Sequence, residues 1–322
     1  MVDFPSVNIP STEDLERARE VIGEVMAPTP LIEVVIDGRR IWCKLDSLAP
    51  TGSFKVRGAL AAIHHARLAD PGRSVVTCSA GNHGLGIAFA AKRLGVDACV
   101  VVPETASPVK IAKLESFGIE LQLVGATYDE AERHAMTLAD QRDARYVSPY
   151  NDTQVVAGQA SMAAEVADQL GESGHLVVAV GGGGLAAGSA LAMAKTDWVV
   201  HGAQVEQNAA FAAVFRGGSF DESSLLPTIA DGVAGGFDPT SVTLEILRSA
   251  AFDLSLVTEV EVRRATRRSL VDIGVVAEGS AGLSLAVALR HMASWDGEIV
   301  VGLCGRNITN TLIGELLTDQ TL

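Results

Sequence analysis

Residues 176–192 read LVVAVGGGGLAAGSALA, and this stretch decides the fold. Its first five residues are all apolar, as in a strand buried on both faces. Four consecutive glycines, Gly181 to Gly184, then allow a turn whose backbone can approach a ligand closely, and the alanine-rich remainder predicts a helix. A strand that passes through glycine into a helix is the βα unit of a parallel sheet. Its helix N-terminus presents N–H groups and the positive end of a macrodipole to an anion. No Gly-Lys-Ser/Thr follows, so this is not a Walker A loop. Gly181, Gly183 and Ala186 do satisfy G-x-G-x-x-A, and Glu206 closes the next predicted strand, where a dinucleotide fold places its ribose acid. From these residues alone a monophosphate, a dinucleotide and a purely structural glycine turn all stay open, the monophosphate leading.

The same alternation extends over most of the 322 residues. Predicted strands are RIWCKL, SVVTCS, ACVVVP, ELQLVG, HLVVAVG, WVVHGAQVE, DLSLVTE and EIVVGLC. Helical windows between them include GLGIAFAAKRLG, ASPVKIAKLESFG, YDEAERHAMTLADQR, VVAGQASMAAEVADQLG and VTEVEVRRATRRSLVDIG. Short apolar strands separated by helices predict an α/β protein with parallel sheets covered on both faces. Three successive βα units, from about residue 74 to 147, suggest a smaller domain over 71–147. The segment YVSPYND then breaks the pattern, so 1–70 and 148–322 are expected to form a larger domain. Ligands of such folds bind at the carboxyl ends of strands, often between domains.

Three further stretches carry candidate chemistry at strand or helix ends. In VVTCSAGNHGLGIAFAA, the residues Ser79, Ala80, Gly81, Asn82 and His83 join a strand to a helix. Ser and Asn side chains with exposed turn N–H groups can hold a carboxylate or phenolic oxygen, although S-x-G-N is also an ordinary turn and cap. In PTGSFKVRGA (Pro50–Ala59), Lys55 falls in the first turn of a predicted helix, where acids are preferred. A lone lysine is most often a solvated surface charge. Between apolar neighbours at a helix start, however, its pKa should fall below the reference of about 10.4, and a neutral amine is what a Schiff base needs. In EIVVGLCGRNIT, Cys304 ends the last predicted strand, where a small buried hydrophobe is the commoner role for cysteine.

Composition narrows the partners. The chain carries 39 acidic and 25 basic residues, a net charge of −14, which argues against nucleic acid and anionic membranes as partners. A small anionic ligand would need a local positive site. The opening MVDFPSVNIPSTEDLERARE lacks the basic and apolar regions of a leader, and no apolar run reaches the roughly 18 residues of a membrane span. Cys43, Cys78, Cys99 and Cys304 form no C-x-x-C, which reads as reduced thiols in the cytoplasm. The seven histidines lack metal-ligand spacing, and adjacent His64 and His65 point to different sides of a helix, so no metal is expected.

Together these pieces resemble the fold type II (tryptophan synthase β-like) pyridoxal-phosphate enzymes, and within them the threonine/serine dehydratase and serine racemase branch. The matching motifs are K-x-D-x-x-x-P-T-G-S-F-K-x-R-G-A (Lys44–Ala59), S-A-G-N-H-G (Ser79–Gly84), V-x-G-Q (Val156–Gln159), G-G-G-G-L (Gly181–Leu185), P-T-I-A-D-G (Pro227–Gly232) and C-G-R-N (Cys304–Asn307). They occur in family order over nearly the whole chain. The resemblance implies two sheet domains with pyridoxal 5'-phosphate in the cleft between them, the smaller domain being mobile. It implies that Lys55 holds the cofactor as a Schiff base and that Phe54 packs beside the ring. Asn82 would bind the phenolic oxygen, Gly181, Gly182, Gly183, Gly184 and Leu185 the phosphate, and Cys304 the ring nitrogen, with Glu278 near the ring. Ser79, Ala80, Gly81, Asn82 and His83 would face the substrate carboxylate, and the dinucleotide reading of the glycine loop lapses. A cytoplasmic homodimer acting on an amino acid is also implied.

The departures from the pattern point to the reaction. Racemase members carry a second serine where this chain has Ala80, as the acid/base on the opposite face; alanine has no proton to give, which favours elimination. Relatives that bind a divalent cation use an acid at the position of Glu206 and another six residues on, which here is Ala212, so a metal is not expected. The relatives' E-P-[ST] appears as Glu278-Gly279-Ser280, and Arg306 replaces a usual glycine, where it could reach an acidic substrate side chain. The length leaves no room for the regulatory domain of the long biosynthetic enzymes. The resemblance thus implies a lyase that converts a β-hydroxy amino acid such as L-threonine or L-serine to an α-keto acid and ammonia. Hydroxyaspartate-type or hydroxyectoine-pathway dehydration, racemisation, β-replacement and a non-catalytic binding role are the alternatives.

Overall fold

The computed structural model describes residues 8–171 and 173–322. The first seven residues of the N-terminal stretch read above lie outside the described residues. In chain order the elements are α1 (Thr12–Val25), β1 (Leu31–Ile36), β2 (Arg39–Lys44), α2 (Lys55–Ala69), β3 (Val75–Cys78), α3 (Asn82–Leu94), β4 (Ala98–Val102) and α4 (Pro108–Glu115). There follow β5 (Glu120–Leu123), α5 (Tyr128–Gln141), β6 (Arg145–Tyr146), α6 (Thr153–Leu170), β7 (Ser173–Ala179), α7 (Gly184–Ala192), β8 (Asp197–Val205) and α8 (Ala210–Phe215). The chain closes with α9 (Val242–Ser249), β9 (Phe252–Val257), α10 (Glu259–Val271), α11 (Gly279–His291), β10 (Ile299–Gly302) and α12 (Asn310–Thr318).

These elements form two compact units, one of Met1–Ala27 with Lys55–Ser161, the other of Pro28–Phe54 with Met162–Leu322. The first unit holds a four-stranded, all-parallel sheet in the order β5-β4-β3-β6. Its central strands β3 and β4 are buried at every position, as their continuous apolar sequence predicts, whereas the edge strand β5 is only partly covered. The unit reaches well beyond residues 71–147. Arg57 of α2 is fully buried and donates from Nη1 to Ser161 Oγ of α6 at 3.0 Å. Gln154 Nε2 donates to Asp14 Oδ1 at 2.8 Å, and Arg145 pairs with Asp152 at 2.9 Å. These buried and half-buried polar ties draw α1, α2 and the start of α6 into the unit, although their sequence carries no strand pattern to announce it.

The second unit holds a six-stranded sheet, β1-β2-β10-β7-β8-β9, parallel except for the β1–β2 hairpin. That hairpin turns at Asp37 and Gly38, both in the left-handed region (φ 50° and 74°), as a two-residue Asp-Gly turn requires. Its first strand, β1, is absent from the predicted strands, although the Asp-Gly pair flanked by apolar residues is the signal for it. The strand β6 is absent from them too: two residues long, it is too short for a periodicity to show.

Strand order determines where each sheet can bind. In the first unit the chain leaves β3 for β4 and β5 on one side, then returns to add β6 on the other. In the second it leaves β7 for β8 and β9, then returns to add β10. Each sheet therefore has a topological switch point beyond the carboxyl end of one strand, β3 or β7, where a crevice opens. The two loops that follow these strands are Ser79–Gly81 and Val180–Gly183, which lie within the sequence-predicted site segments.

Candidate active site

At the switch point of the first unit, β3 runs into Ser79, whose backbone N–H donates to Val101 O at 3.1 Å and whose Oγ accepts from Gly81 N–H at 3.1 Å. Gly81 is the N-cap of α3 and the cap makes no side-chain hydrogen bond. First-turn N–H groups have no intrahelical acceptor, so this uncapped start, with Ser79, Ala80, Gly81 and Asn82 half-buried around it, presents donors to an anion. His83, buried one residue into the helix, lies with Nε2 at 3.4 Å from Val147 O, while its Nδ1 has no hydrogen-bond partner among the described residues. Burial above all, and then the Lys55 charge, push its pKa down from 6.5 to about 3. It is neutral at physiological pH, an imidazole that can accept but carries no charge.

Lys55, the first residue of α2, is half-buried, and its Nζ donates to Pro149 O at 2.9 Å. Val147 and Pro149 follow β6, the strand beside β3, and Thr77 Oγ1 of β3 donates to Val147 O at 2.7 Å. Lys55, Ser79, Asn82 and His83 thus belong to one unit, and the 147–149 segment that joins them is the part that sequence reading takes only as a break in the pattern.

At the switch point of the second unit, the loop after β7 carries no side-chain donors at all. Gly183, the N-cap of α7, has φ 83°, and the cap makes no side-chain hydrogen bond. A Cβ there would lie 3.0 Å from the Phe211 ring and 3.1 Å from Thr243, and one at Gly181 would lie 3.0 Å from Val233 Cα. Only glycine keeps this loop both left-handed and close to its walls. Thr243 Oγ1 donates to Gly182 O at 2.7 Å, which satisfies that carbonyl and fixes the peptide's orientation. Leu185 and Ala186 are buried in the first turn of α7. Thr243 and Val233 carry no local sequence signal for this role, because it depends on which segments the fold brings to the loop.

Beside β7 in the same sheet, β10 ends and the chain passes to the buried Cys304. Phe54 N–H donates to Cys304 O at 2.9 Å, and Arg306 N–H to Gly52 O at 2.9 Å, so the PTGSF segment and the CGRN turn are joined within this unit. Glu278, the N-cap of α11, is buried and accepts from Asn307 N–H through Oε2 at 2.9 Å. Its carboxylate occupies the space a side chain at residue 305 would need, which is why Gly305 is there. Glu278 N–H also donates to Gly305 O at 2.9 Å. Glu278 therefore braces the turn that carries Cys304. Arg306 is exposed. Among the described residues no group of three or more His, Cys, Asp or Glu side chains could hold a metal ion, and no helix is long and apolar enough to cross a membrane.

Both sheets, one all parallel and the other parallel except for its β1–β2 hairpin, have a helix start without a side-chain cap at their switch point. In the first unit a half-buried lysine belongs to the same unit, and in the second the loop is glycine alone, as in an α/β protein that binds anions at its strand ends. The chain belongs to the family of pyridoxal-phosphate dependent enzymes, whose family model matches residues 22–305. It is 32% identical over 311 residues to the L-threonine ammonia-lyase of Thermotoga maritima, covering 95% of this chain and 77% of that protein. Among solved structures it is similar to a threonine deaminase from T.th., with a TM-score of 0.82 and 32% identity over 93% of this chain and 99% of that one. It is also similar to a pyridoxal 5'-phosphate-dependent aspartate racemase, with a TM-score of 0.83 and 29% identity over 95% of this chain and 98% of that one. The family's cofactor fits the residues present: the left-handed, wall-bounded glycine start of α7 suits its phosphate, and Lys55 suits its aldehyde carbon.

Proposed function

We propose that the chain is a pyridoxal-phosphate-dependent ammonia-lyase that removes water from a β-hydroxy amino acid such as L-threonine or L-serine, yielding an α-keto acid and ammonia. The observation that carries this reading is the full-length similarity to threonine ammonia-lyases combined with alanine at position 80. Bound at Lys55, the cofactor supplies an electron sink for negative charge developing at the substrate's Cα.

The chain's own groups do the rest. Gly181 to Gly184, with Leu185, hold the phosphate through backbone N–H groups and the α7 dipole, without a side-chain charge. Asn82 would bind the phenolic oxygen and Phe54 would lie against the ring. Cys304 would meet the ring nitrogen as a thiol, too weak an acid to protonate it fully, which would favour loss of a β-leaving group. Ser79, Gly81, Asn82 and the N-terminus of α3 take the substrate carboxylate, with neutral His83 adding an acceptor and no repulsion of the ammonium. The Lys55 amine would take the substrate's α-proton as general base. On the opposite face Ala80 offers no acid to return a proton, so the β-hydroxyl departs instead. A cytoplasmic homodimer is part of the same reading.

The test is a screen of β-hydroxy amino acids, both diastereomers, scored by keto acid and ammonia. Release of both from L-threonine or L-serine without an added nucleophile supports the reading. Turnover of hydroxyaspartate alone would move it to an acidic substrate and give Arg306 a role. Inverted amino acid with no keto acid would make the chain a racemase. Absence of a visible Schiff-base absorbance band, with no borohydride labelling of Lys55, would end the enzyme reading.

A further inference from the structure

One ion pair in the second unit is withdrawn from solvent. Lys44, the last residue of β2, is fully buried and Glu165 of α6 nearly so, with Nζ and Oε2 2.6 Å apart. Lys44 Nζ also donates to Thr29 O at 2.8 Å and Gln169 Oε1 at 3.3 Å. Thr29 N–H donates to Glu165 Oε2 at 3.2 Å, and its hydroxyl to the buried Asp46 at 2.6 Å. Desolvating such a pair costs several kcal/mol per ion, and the mutual attraction roughly offsets that cost, so an apolar pair of similar volume would serve stability as well. A charged, hydrogen-bonded pair differs in one respect: it accepts a single geometry.

The backbone attached to this network is the one that leads to Phe54 and Lys55. The Lys44 carbonyl accepts from Leu303 N–H at 3.0 Å, and Ser47 N–H donates to Leu303 O at 2.8 Å. Further along, Gly52 O accepts from Arg306 N–H, Phe54 N–H donates to Cys304 O, and Asn307 Nδ2 donates to Thr51 O at 3.1 Å. Segment 44–54 and turn 303–307 are therefore laced together along their length, and Lys44 and Asp46 are where the lacing meets the buried network. We infer that the Lys44–Glu165 pair, with Thr29 and Asp46, is a positioning device that sets the register of segment 45–54 against the turn at Leu303–Asn307, and through it the placement of the Cys304 thiol and Phe54. Its functional consequence rests on the proposed roles of Cys304 and Phe54; the register itself does not.

The experiment compares wild type with the double variant Lys44→Met/Glu165→Leu and with Glu165→Gln. Amide exchange at Ser47, Leu303 and Arg306 is measured in the whole chain without cofactor. Pyridoxal phosphate is then titrated and followed by absorbance. The double variant should unfold within about 5 °C of wild type, yet exchange those amides about tenfold faster and bind the cofactor about tenfold more weakly. Glu165→Gln keeps an acceptor for Thr29 N–H and Lys44 but removes the counter-charge of a buried ammonium. It should therefore unfold at a lower temperature than the double variant and exchange these amides faster than wild type. If the double variant does not fold, faster exchange confined to these amides in Glu165→Gln supports the inference. Wild-type exchange and wild-type cofactor affinity in either folded variant overturn it. Faster exchange in variants of a protein that takes up no cofactor even as wild type would uphold the register and remove the functional reading instead.

Discussion

The starts of α3 and α7 are built on one plan and finished differently. Both follow a switch-point strand, both have glycine as N-cap, and neither cap makes a side-chain hydrogen bond. The helices α1, α5 and α10 instead close their N-termini with full capping boxes, and α4, α9 and α12 with a side-chain cap; α8 and α11 also lack a side-chain cap, but neither follows a switch-point strand. An N-cap side chain stabilises a helix by about 1 kcal/mol, so leaving these two open gives up stability and keeps donors for a ligand. At α3 the donors are mixed with Ser79, Asn82 and neutral His83, side chains that can tell one ligand from another. At α7 they are backbone alone, walled by Phe211, Thr243 and Val233. Backbone donors with no charge of their own suit a group that is always the same, which we propose is the cofactor phosphate, whereas side-chain donors suit a substrate that must be selected.

The contrast can be broken most severely at Lys55, the residue we propose serves both partners. Lys55→Ala should lower turnover by at least about 10³-fold, as loss of a general base does, and abolish the Schiff-base absorbance band, while the protein still folds by circular dichroism. Next, Gly183→Ala forces a Cβ into the left-handed cradle at a cost of about 1–3 kcal/mol. Cofactor affinity measured by absorbance titration should fall by about 10–100-fold, with little change in KM once the enzyme is saturated with cofactor. Ser79→Ala should do the reverse, raising KM about tenfold, the value of a hydrogen bond to a charged group, with cofactor affinity unchanged. Equal effects of these last two substitutions on both quantities would erase the division of labour. Ala80→Ser should add measurable racemisation, read by chiral chromatography, and reduce elimination a few-fold.

A separate test, on stability rather than on binding, concerns acid. The folded pKa of His83 lies below its unfolded value, so its neutral form contributes stability that is complete above about pH 6.5 and is lost as pH falls toward about 3. The slope is about 1.4 kcal/mol per pH unit for one proton. Buried His201, with its pKa lowered to about 4 chiefly by burial, adds a limb of the same sign. His83→Gln should flatten the denaturation midpoint against pH between about 6 and 4 but leave the His201 contribution. An unchanged slope would mean that His83 is not the buried neutral group described here.

Much of this was legible in the chain. Apolar runs such as ACVVV and IVVG become strands buried at every position, because a parallel strand covered on both faces has no polar side to show. The four glycines announced a close backbone approach, which the walls at Gly181 and Gly183 bear out. The missing parts share one physical character: they act through the backbone or through burial. Pro149 contributes a carbonyl, which any residue has. Thr243 acts by reaching a peptide 61 residues away in sequence. Glu165 is an ordinary helix acid until burial pairs it with Lys44.

What the sequence by itself determined is the alternation of strand and helix, the family, and the residue types available at each strand end, since periodicity and turn chemistry are local. Only the tertiary structure decided that β6 and β10 return beside β3 and β7. That return places the 147–149 carbonyls near Lys55 and His83, and brings Cys304 just past the end of the strand beside β7. Strand order is a long-range choice made by the packing of whole elements, and no window of residues records it.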